Sequence, residues 1–366
     1  MEINSYEPIV IPTLNRHTHL KQCLDSLGQC VGAEKTEIFI SVDYPPSDRY
    51  VEGFNKVKEM LMNYDFGKFK NSHITYQDTN LGAERNSFFA VNQAYEFGYD
   101  SHIFTEDDNV FSPNFLIYMN WGLEQFKEDQ RVFAICGFSE GKGDYNGDNI
   151  VLSDSFSAYG SGQWKDKTYA VREWLTKDNL EQMLKDKQCR RYLFNEKYKK
   201  YWILIRALLE KENGWNRLFL KEDGDMALID HIFLLYMEKK KQYCLYPTLS
   251  KVRNIGCDGS GLHVFEGAIY DQVEEDKSKQ FEPTFRKPLQ VYEDIVKEAN
   301  SDIYRIVDVK KNKRHYLIMS FIYLYINKNL ARNLEDFIQK FKHNMWRVRT
   351  KQVTVLQLVK GRICKR

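Results

Sequence analysis

Over its first 140 residues the chain alternates short apolar runs with stretches of helical spacing, and few architectures accept that order. Pro8–Pro12 (PIVIP) reads as a short strand, and Arg16–Gln29 follows with Leu20, Cys23, Leu24 and Leu27 at helical intervals. Glu37–Asp43 (EIFISVD) is a second strand, ended by Tyr44-Pro45-Pro46, after which Ser47 is placed to cap a helix to about Tyr64. His73–Gln77 is expected as a third strand and Gly82–Gly98 as a third helix. A strand over residues 102–105, a helix from about Ser112 to Lys127 and a strand at Val132–Gly137 continue the pattern. Strands and helices alternating at this spacing fold as a mostly parallel sheet with right-handed crossovers, so the expected class is α/β. Residues from about Leu175 to Lys241 look helical, and Tyr243–His263 returns to strand and loop.

The fourth strand runs into three successive carboxylates, Glu106-Asp107-Asp108. Carboxylates at the carboxyl end of a strand in an open α/β sheet stand at the crevice where such sheets bind ligands. They repel one another unless a cation or a sugar's hydroxyls satisfy them, and a hard divalent ion is the natural guest. With 51 acidic residues in 366, about one such triple arises by chance, so position must carry the argument. A second triple, Glu274-Glu275-Asp276, lies among charged residues with no strand before it and reads as solvated surface.

Other function classes fall away. No P-loop is present and no Gly-x-Gly-x-x-Gly follows the first strand. The seven cysteines, Cys23, Cys30, Cys136, Cys189, Cys244, Cys257 and Cys364, make no CxxC pair, which argues against a zinc site and for a reducing compartment. The first residues carry no secretion signal, and the expected location is cytoplasmic. Net charge is only +2, yet residues 301–366 hold 16 Lys/Arg against 4 Asp/Glu. Such a tail suits a polyanion, and its apolar run His315–Ile326 is too short for the roughly 20 residues a bilayer crossing needs. Either an amphipathic helix on an anionic membrane surface, placing the chain peripherally on the inner face, or a buried core helix fits it. No nucleic-acid motif accompanies the charge, so nucleic acid is not an expected partner.

Several motifs in this order resemble a glycosyltransferase of the GT-A fold, a Rossmann-like, mostly parallel sheet flanked by helices. More narrowly, the chain is similar to bacterial family 2 enzymes of surface-polysaccharide assembly that share features with N-acetylglucosaminyltransferase I. The matching stretches are Pro12-Thr13-Leu14-Asn15-Arg16, Asp43, Asn80-Leu81-Gly82 with Arg85-Asn86, Glu106-Asp107-Asp108, Gly160–Trp164, and Asn254-Ile255-Gly256 through Asp258 and Gly261 to His263. The resemblance implies a GT-A domain over residues 1–265, with a nucleotide-sugar half at 1–140 and an acceptor half at 141–265. A charged linker would follow at 266–300, and a helical, basic, amphipathic extension at 301–366. It also implies an inverting enzyme that uses Mn²⁺ or Mg²⁺ and moves a sugar, from a UDP-sugar in particular, to a saccharide or lipid-linked acceptor.

Within that resemblance Asp108 is the metal ligand, Glu106 faces the ribose, and Asp107 faces the donor sugar or the ion. His263 completes the metal or pyrophosphate site, and an imidazole favours Mn²⁺ over Mg²⁺. Pro12, Thr13, Asn15 and Arg16 with Gly82 and Asn86 belong to the donor site. Pro12-Thr13 and Asp43 would flank the nucleobase, with Asp43 accepting the uracil N3 proton; the alternative is that Asp43 merely starts its turn. Arg85, just inside the third helix, would reach a phosphate or simply be an exposed helical arginine. The catalytic base is Asp230, with Asp225 as its rival; the family's Asp follows a Trp, whereas Asp230 follows Ile229. Tyr159, Gly162 and Trp164 would line the acceptor side, with ordinary core packing as the equal alternative for the aromatics. A non-catalytic nucleotide- or carbohydrate-binding module and a sugar nucleotidyltransferase are the competing readings.

Overall fold

In the computed structural model the apolar runs of the first 140 residues assemble into one central sheet. The structure describes residues 3–141, 144–186, 229–258, 273–292, 295 and 309–349. Strand β1 (Ile9–Thr13) is parallel to β2 (Glu37–Val42) on one side and to β4 (Ser101–Phe104) on the other, and β3 (Asn71–Tyr76) follows β2. Beyond β4 come β8 (Ser161–Trp164), β6 (Val132–Cys136), β9 (Tyr243–Pro247) and β7 (Ile150–Ser153), giving the order β3-β2-β1-β4-β8-β6-β9-β7. Only β8 and β7 run against the rest. The α/β class and the mostly parallel sheet are therefore as expected. The boundaries of β1, β2, β3, β4 and β6 fall within two residues of the sequence reading, whereas that reading includes no strand at β7 or β8.

The helices form as their spacing predicts. In α1 (His17–Leu27) the residues Leu20, Cys23, Leu24 and Leu27 are all wholly buried, each leucine contributing about 2 kcal/mol of transfer free energy. Helices α2 (Val51–Asn63) and α3 (Ala83–Glu96) complete the first half; Ser47 precedes a short 3₁₀ turn and makes no side-chain cap. Helices α4 (Phe115–Gln125) and α5 (Lys165–Trp174) pack on the second half. Of the expected helical stretch after Leu175, α6 (Lys177–Lys185) and α7 (Ile229–Lys240) are described. Phe233 of α7 meets Phe133 of β6 edge-on at 5.1 Å. A two-stranded ribbon of β5 (Asn109–Phe111) and β10 (Val252–Asn254) was not foreseen, because three-residue strands carry too little pattern to read.

By its internal contacts the chain divides into one unit of Met1–Leu175 with Leu228–Ile306 and another of Thr176–Ala227 with Val307–Arg366. These limits differ from the continuous 1–265, 266–300 and 301–366. The expected charged linker is corrected in part to a strap: residues 275–280 run beside Ser250, Lys251 and Asn114, and residues 282–292 lie along β7 and the turn before it. Leu152 N–H donates to Gln290 O at 2.9 Å, Tyr292 N–H to Leu152 O at 2.8 Å, and Arg286 pairs with Asp148 at 2.9 Å. The second triple is also not plain solvated surface. Asp276 accepts from Asn114 Nδ2 at 2.9 Å and from the buried Lys251 ammonium, and Glu275 is half-buried. The helical extension is present as α8 (Val309–Tyr325) and α9 (Lys328–Arg349), which pack on each other. Among the described residues no helix is long and apolar enough to cross a membrane.

Candidate active site

The chain passes from β1 outward through β2 and β3, then returns to place β4 on the other side of β1. The carboxyl ends of β1 and β4 thus form the topological switch point, where open α/β sheets bind ligands. Thr13 ends β1 there, and Glu106-Asp107-Asp108 follow β4. The two segments meet directly. Thr13 Oγ1 donates to Asp107 Oδ2 at 2.7 Å, and Arg16, the residue before α1, donates through Nη1 to Asp108 Oδ2 at 2.7 Å. Its other terminal nitrogen, Nη2, donates to Asp107 Oδ1.

Asp108 is fixed from a second direction. The β5–β10 ribbon begins immediately after it and delivers Asn254, whose Nδ2 donates to Asp108 Oδ1 at 2.8 Å. The Ile255 N–H donates to the Asp108 carbonyl at 2.8 Å. A Cβ at Gly256 would collide with Asp108 Oδ2 and lie 3.3 Å from Arg16 Nη1, so only glycine lets this backbone pass. The Asn254-Ile255-Gly256 motif therefore reaches the acidic motif by strand pairing across about 150 residues of chain.

Electrostatically the pair is a buried concentration of negative charge. Burial raises the Asp107 carboxyl above the ordinary range and repulsion from Asp108 adds to it, with Arg16 and Thr13 opposing. Arg16 is itself raised by both aspartates against the cost of its burial, and stays charged. Beneath them Cys23 of α1 is fully buried, and that burial, with Asp107 and Asp108 nearby, pushes its thiol well up and keeps it inert. One turn from Arg16, His19 of α1 lies 3.2 Å from Asp258 on the loop after β10. Sequence reading missed His19 as a site neighbour; its place three residues after Arg16, on the same helix face, was the available signal.

Asp43, just after β2, is held by the chain that follows it. Its Oδ1 accepts from the Tyr44 and Leu81 N–H groups at 2.8 Å each, and its Oδ2 from Gly82 N–H at 2.9 Å and Asn80 Nδ2 at 3.1 Å. Four donors engage both carboxylate oxygens, so Asp43 anchors the loop between β3 and α3. Gly82 has φ +80°, a backbone conformation that suits glycine. Asn86 ties α3 to β2, donating from Nδ2 to Ser41 O at 2.9 Å. Arg85 is half-buried in the first turn of α3, and Glu106, Pro12 and Asn15 are half-buried beside the site's strands.

The acceptor-side residues separate. Trp164 is buried in β8 with its Nε1 donating to Leu123 O at 3.1 Å, and Gly162 packs against Met119 and Leu123. Both are packed in the core, which for Trp164 is the second of the two readings offered above. Tyr159 is half-buried at the turn into β8, edge-on to Phe138 at 5.5 Å. Asp230 lies in the first turn of α7, while Asp225 and His263 fall outside the described residues.

Asp107 and Asp108 offer hard carboxylate oxygens. Among the described residues no third His, Cys, Asp or Glu joins them in a set that could hold a metal. An ion of the Mg²⁺ or Mn²⁺ kind needs only one or two carboxylates when substrate phosphates and waters fill its other positions. The pair therefore fits such an ion, provided Arg16 turns aside.

No family model and no curated relative matches the chain. Among solved structures it is similar to S. aureus TarS 1-349 in complex with UDP, at 14% identity and TM-score 0.28, over 41% of this chain and 36% of that one. It thus spans about a third of the TarS chain. It is also similar to the mannosyltransferase PcManGT from Pyrobaculum calidifontis in complex with GDP-Man and Mn²⁺, at 9% identity and TM-score 0.34, over 89% and 91% of the two chains. Both superpositions are loose, and the functional reading rests on the geometry around Asp107 and Asp108.

Proposed function

We propose that this protein is a GT-A glycosyltransferase that moves a sugar, with inversion, from a nucleotide-sugar to a saccharide or lipid-linked acceptor in surface-polysaccharide synthesis. The carrying observation is the junction of Thr13, Arg16, Asp107, Asp108 and Asn254 at the switch point between β1 and β4. A diphosphate leaving group bears two or more negative charges, which a site of this kind must neutralise. A divalent ion held by Asp108, with Asp107 beside it, would act there as a Lewis acid. Asn254 holds the Asp108 carboxylate and the Ile255 N–H its carbonyl, while Thr13 holds Asp107. Arg16 carries a guanidinium whose fork matches phosphate oxygens as well as carboxylates, and it stands before the N-terminus of α1, which favours anions.

Asp230, or Asp225 as its alternative, would take the acceptor hydroxyl's proton as general base. The donor is a UDP-sugar by family resemblance, and the acceptor lies at the inner face of the membrane. Calorimetry tests this reading with UDP, GDP and CMP, each with and without Mn²⁺, on the wild type and on Asp108→Ala. Manganese-dependent UDP binding that disappears in the variant supports it. No nucleotide binding under any condition sinks it. Binding without turnover in the wild type favours the non-catalytic module.

A further inference from the structure

Among the described residues of the second unit, two helices carry large apolar side chains that are exposed. On α8, Ile318, Phe321 and Tyr325 recur at three- and four-residue intervals; on α9, Leu330, Leu334, Phe337 and Phe341 do the same. All seven are between 37% and 60% exposed. The opposite side of the hairpin is already satisfied. Met319, Tyr323, Ala331 and Glu335 are buried, the last against His315 at 2.5 Å. Tyr323 OH donates to Glu181 of α6 at 2.8 Å, and Lys328 Nζ reaches the same carboxylate at 2.6 Å. This hairpin is thus neither a wholly buried core helix nor a polar solvent helix. It has a locked inner face and a surplus outer one.

Charge selects what covers the outer face. Residues 309–349 contain ten Lys/Arg and two Asp/Glu, and one of the two acids is the buried Glu335. A second copy of this hairpin would bring eight net positive charges against eight more. A nucleic acid would meet the charge but leave large apolar side chains in water. An anionic bilayer meets both needs, taking the apolar stripe at the acyl boundary and the basic side chains among its head groups. We infer that the α8–α9 hairpin is a monotopic anchor, lying in the plane of an anionic membrane with Phe321, Phe337 and Phe341 inserted. The inference deepens the proposed membrane-side location and does not depend on the transfer chemistry.

The test is sedimentation of the full chain with vesicles of phosphatidylcholine alone and with about one third phosphatidylglycerol. The wild type is expected to pellet with the anionic vesicles, less so in high salt, and to remain in solution with the neutral ones. Phe321→Ser with Phe337→Ser and Phe341→Ser should weaken partitioning by about tenfold or more. The single change Phe337→Ser gives the same direction if the triple variant is poorly folded. UDP affinity, read in parallel, should be unchanged. Failure to bind anionic vesicles would overturn the inference, as would a serine variant that partitions like the wild type. A solution dimer abolished by the serine changes would assign the stripe to a second copy. Tight binding of a DNA duplex that survives the serine changes, with no vesicle binding, would assign the surface to nucleic acid. None of these outcomes touches the donor-site reading, which fails only if UDP binding itself is absent.

Discussion

The two acidic triples are built from the same kind of residue and both are countered by basic side chains, Arg16 in the first and Lys251 with Arg253 in the second, yet they are different devices. Glu106-Asp107-Asp108 ends a central strand, and its basic partner Arg16 stands at a helix N-terminus with its side chain 22% exposed. Glu274-Glu275-Asp276 belongs to an edge strap, and its partner Lys251 is 5% exposed beneath it. In the first, Thr13 and Asn254 hold the carboxylates from within the fold, and the arginine that pairs with both stands partly exposed at the rim. In the second, the lysine is locked inside and the aspartate closes over it, joined by Asn114. An acidic cluster becomes a candidate site when its counter-charge faces solvent and can leave. It becomes a fastening when its counter-charge is buried.

That contrast breaks most visibly at Lys251. Lys251→Met leaves Asp276 partly buried without its partner and should cost about 3 kcal/mol of stability in urea denaturation. UDP affinity should be unaltered; a large loss of UDP binding with little loss of stability would mean the two triples had been assigned the wrong way round. The converse change is Gly256→Ala, whose new Cβ runs into Asp108 Oδ2. It should weaken manganese-dependent UDP binding by about a hundredfold, close to 2.7 kcal/mol, by calorimetry. Stability should fall by less than that, since Gly256 lies outside the strands and helices of the core.

How far this was legible follows from range. The helical spacing of Leu20, Cys23, Leu24 and Leu27 and the apolar runs of β1 and β2 are local signals, and they located the frame. The position of the acidic triple at a strand end was equally local, and correct. What the sequence could not show was pairing at a distance. Asn254 and Gly256 reach Asp108 through three-residue strands, and Asp276 reaches Asn114 and Lys251 through a strap that reads as charged linker. Trp164 stayed open between core and sugar platform for a related reason. An aromatic beside glycines suggests a sugar platform, whereas β8 carries it into the centre of the sheet, where Leu123 O takes its N–H. Asp43 was placed correctly at the end of β2, but its four donors come from the next two loops.

Arg16→Met sharpens the first triple at a smaller scale. Without the guanidinium, Asp107 and Asp108 are left for an added cation, so Mn²⁺ alone should bind more tightly than it does to the wild type. UDP in the presence of Mn²⁺ should lose about tenfold, near 1.4 kcal/mol, because a phosphate contact has gone. Manganese titration without nucleotide and UDP titration with it read the two effects separately. Parallel weakening of both would make Arg16 a fixed strut, and the exposure of the counter-charge would cease to distinguish the triples.

The smallest effect lies within the second triple, where neighbouring carboxylates carry opposite signs of pH dependence. Burial alone would raise Asp276, but hydrogen bonds from Asn114, Lys251 and the Ser278 backbone outweigh it and lower its pKa. Its contribution to stability is therefore present above the unfolded value of about 3.9 and is lost as pH falls through the folded one. Glu275 is raised, mainly by burial, with Asp276 adding to it and Arg253 opposing. It costs stability at neutral pH, and that cost is relieved as pH falls through its raised value. Denaturation from pH 7 to about 2 should show the wild type gaining ground on Glu275→Gln as pH first falls and, below the unfolded carboxylate value of about 3.9, losing ground to Asp276→Asn, each by well under 1.4 kcal/mol per pH unit. Equal slopes for the two variants would place both carboxylates in solvent and return the second triple to the plain surface that its sequence suggested.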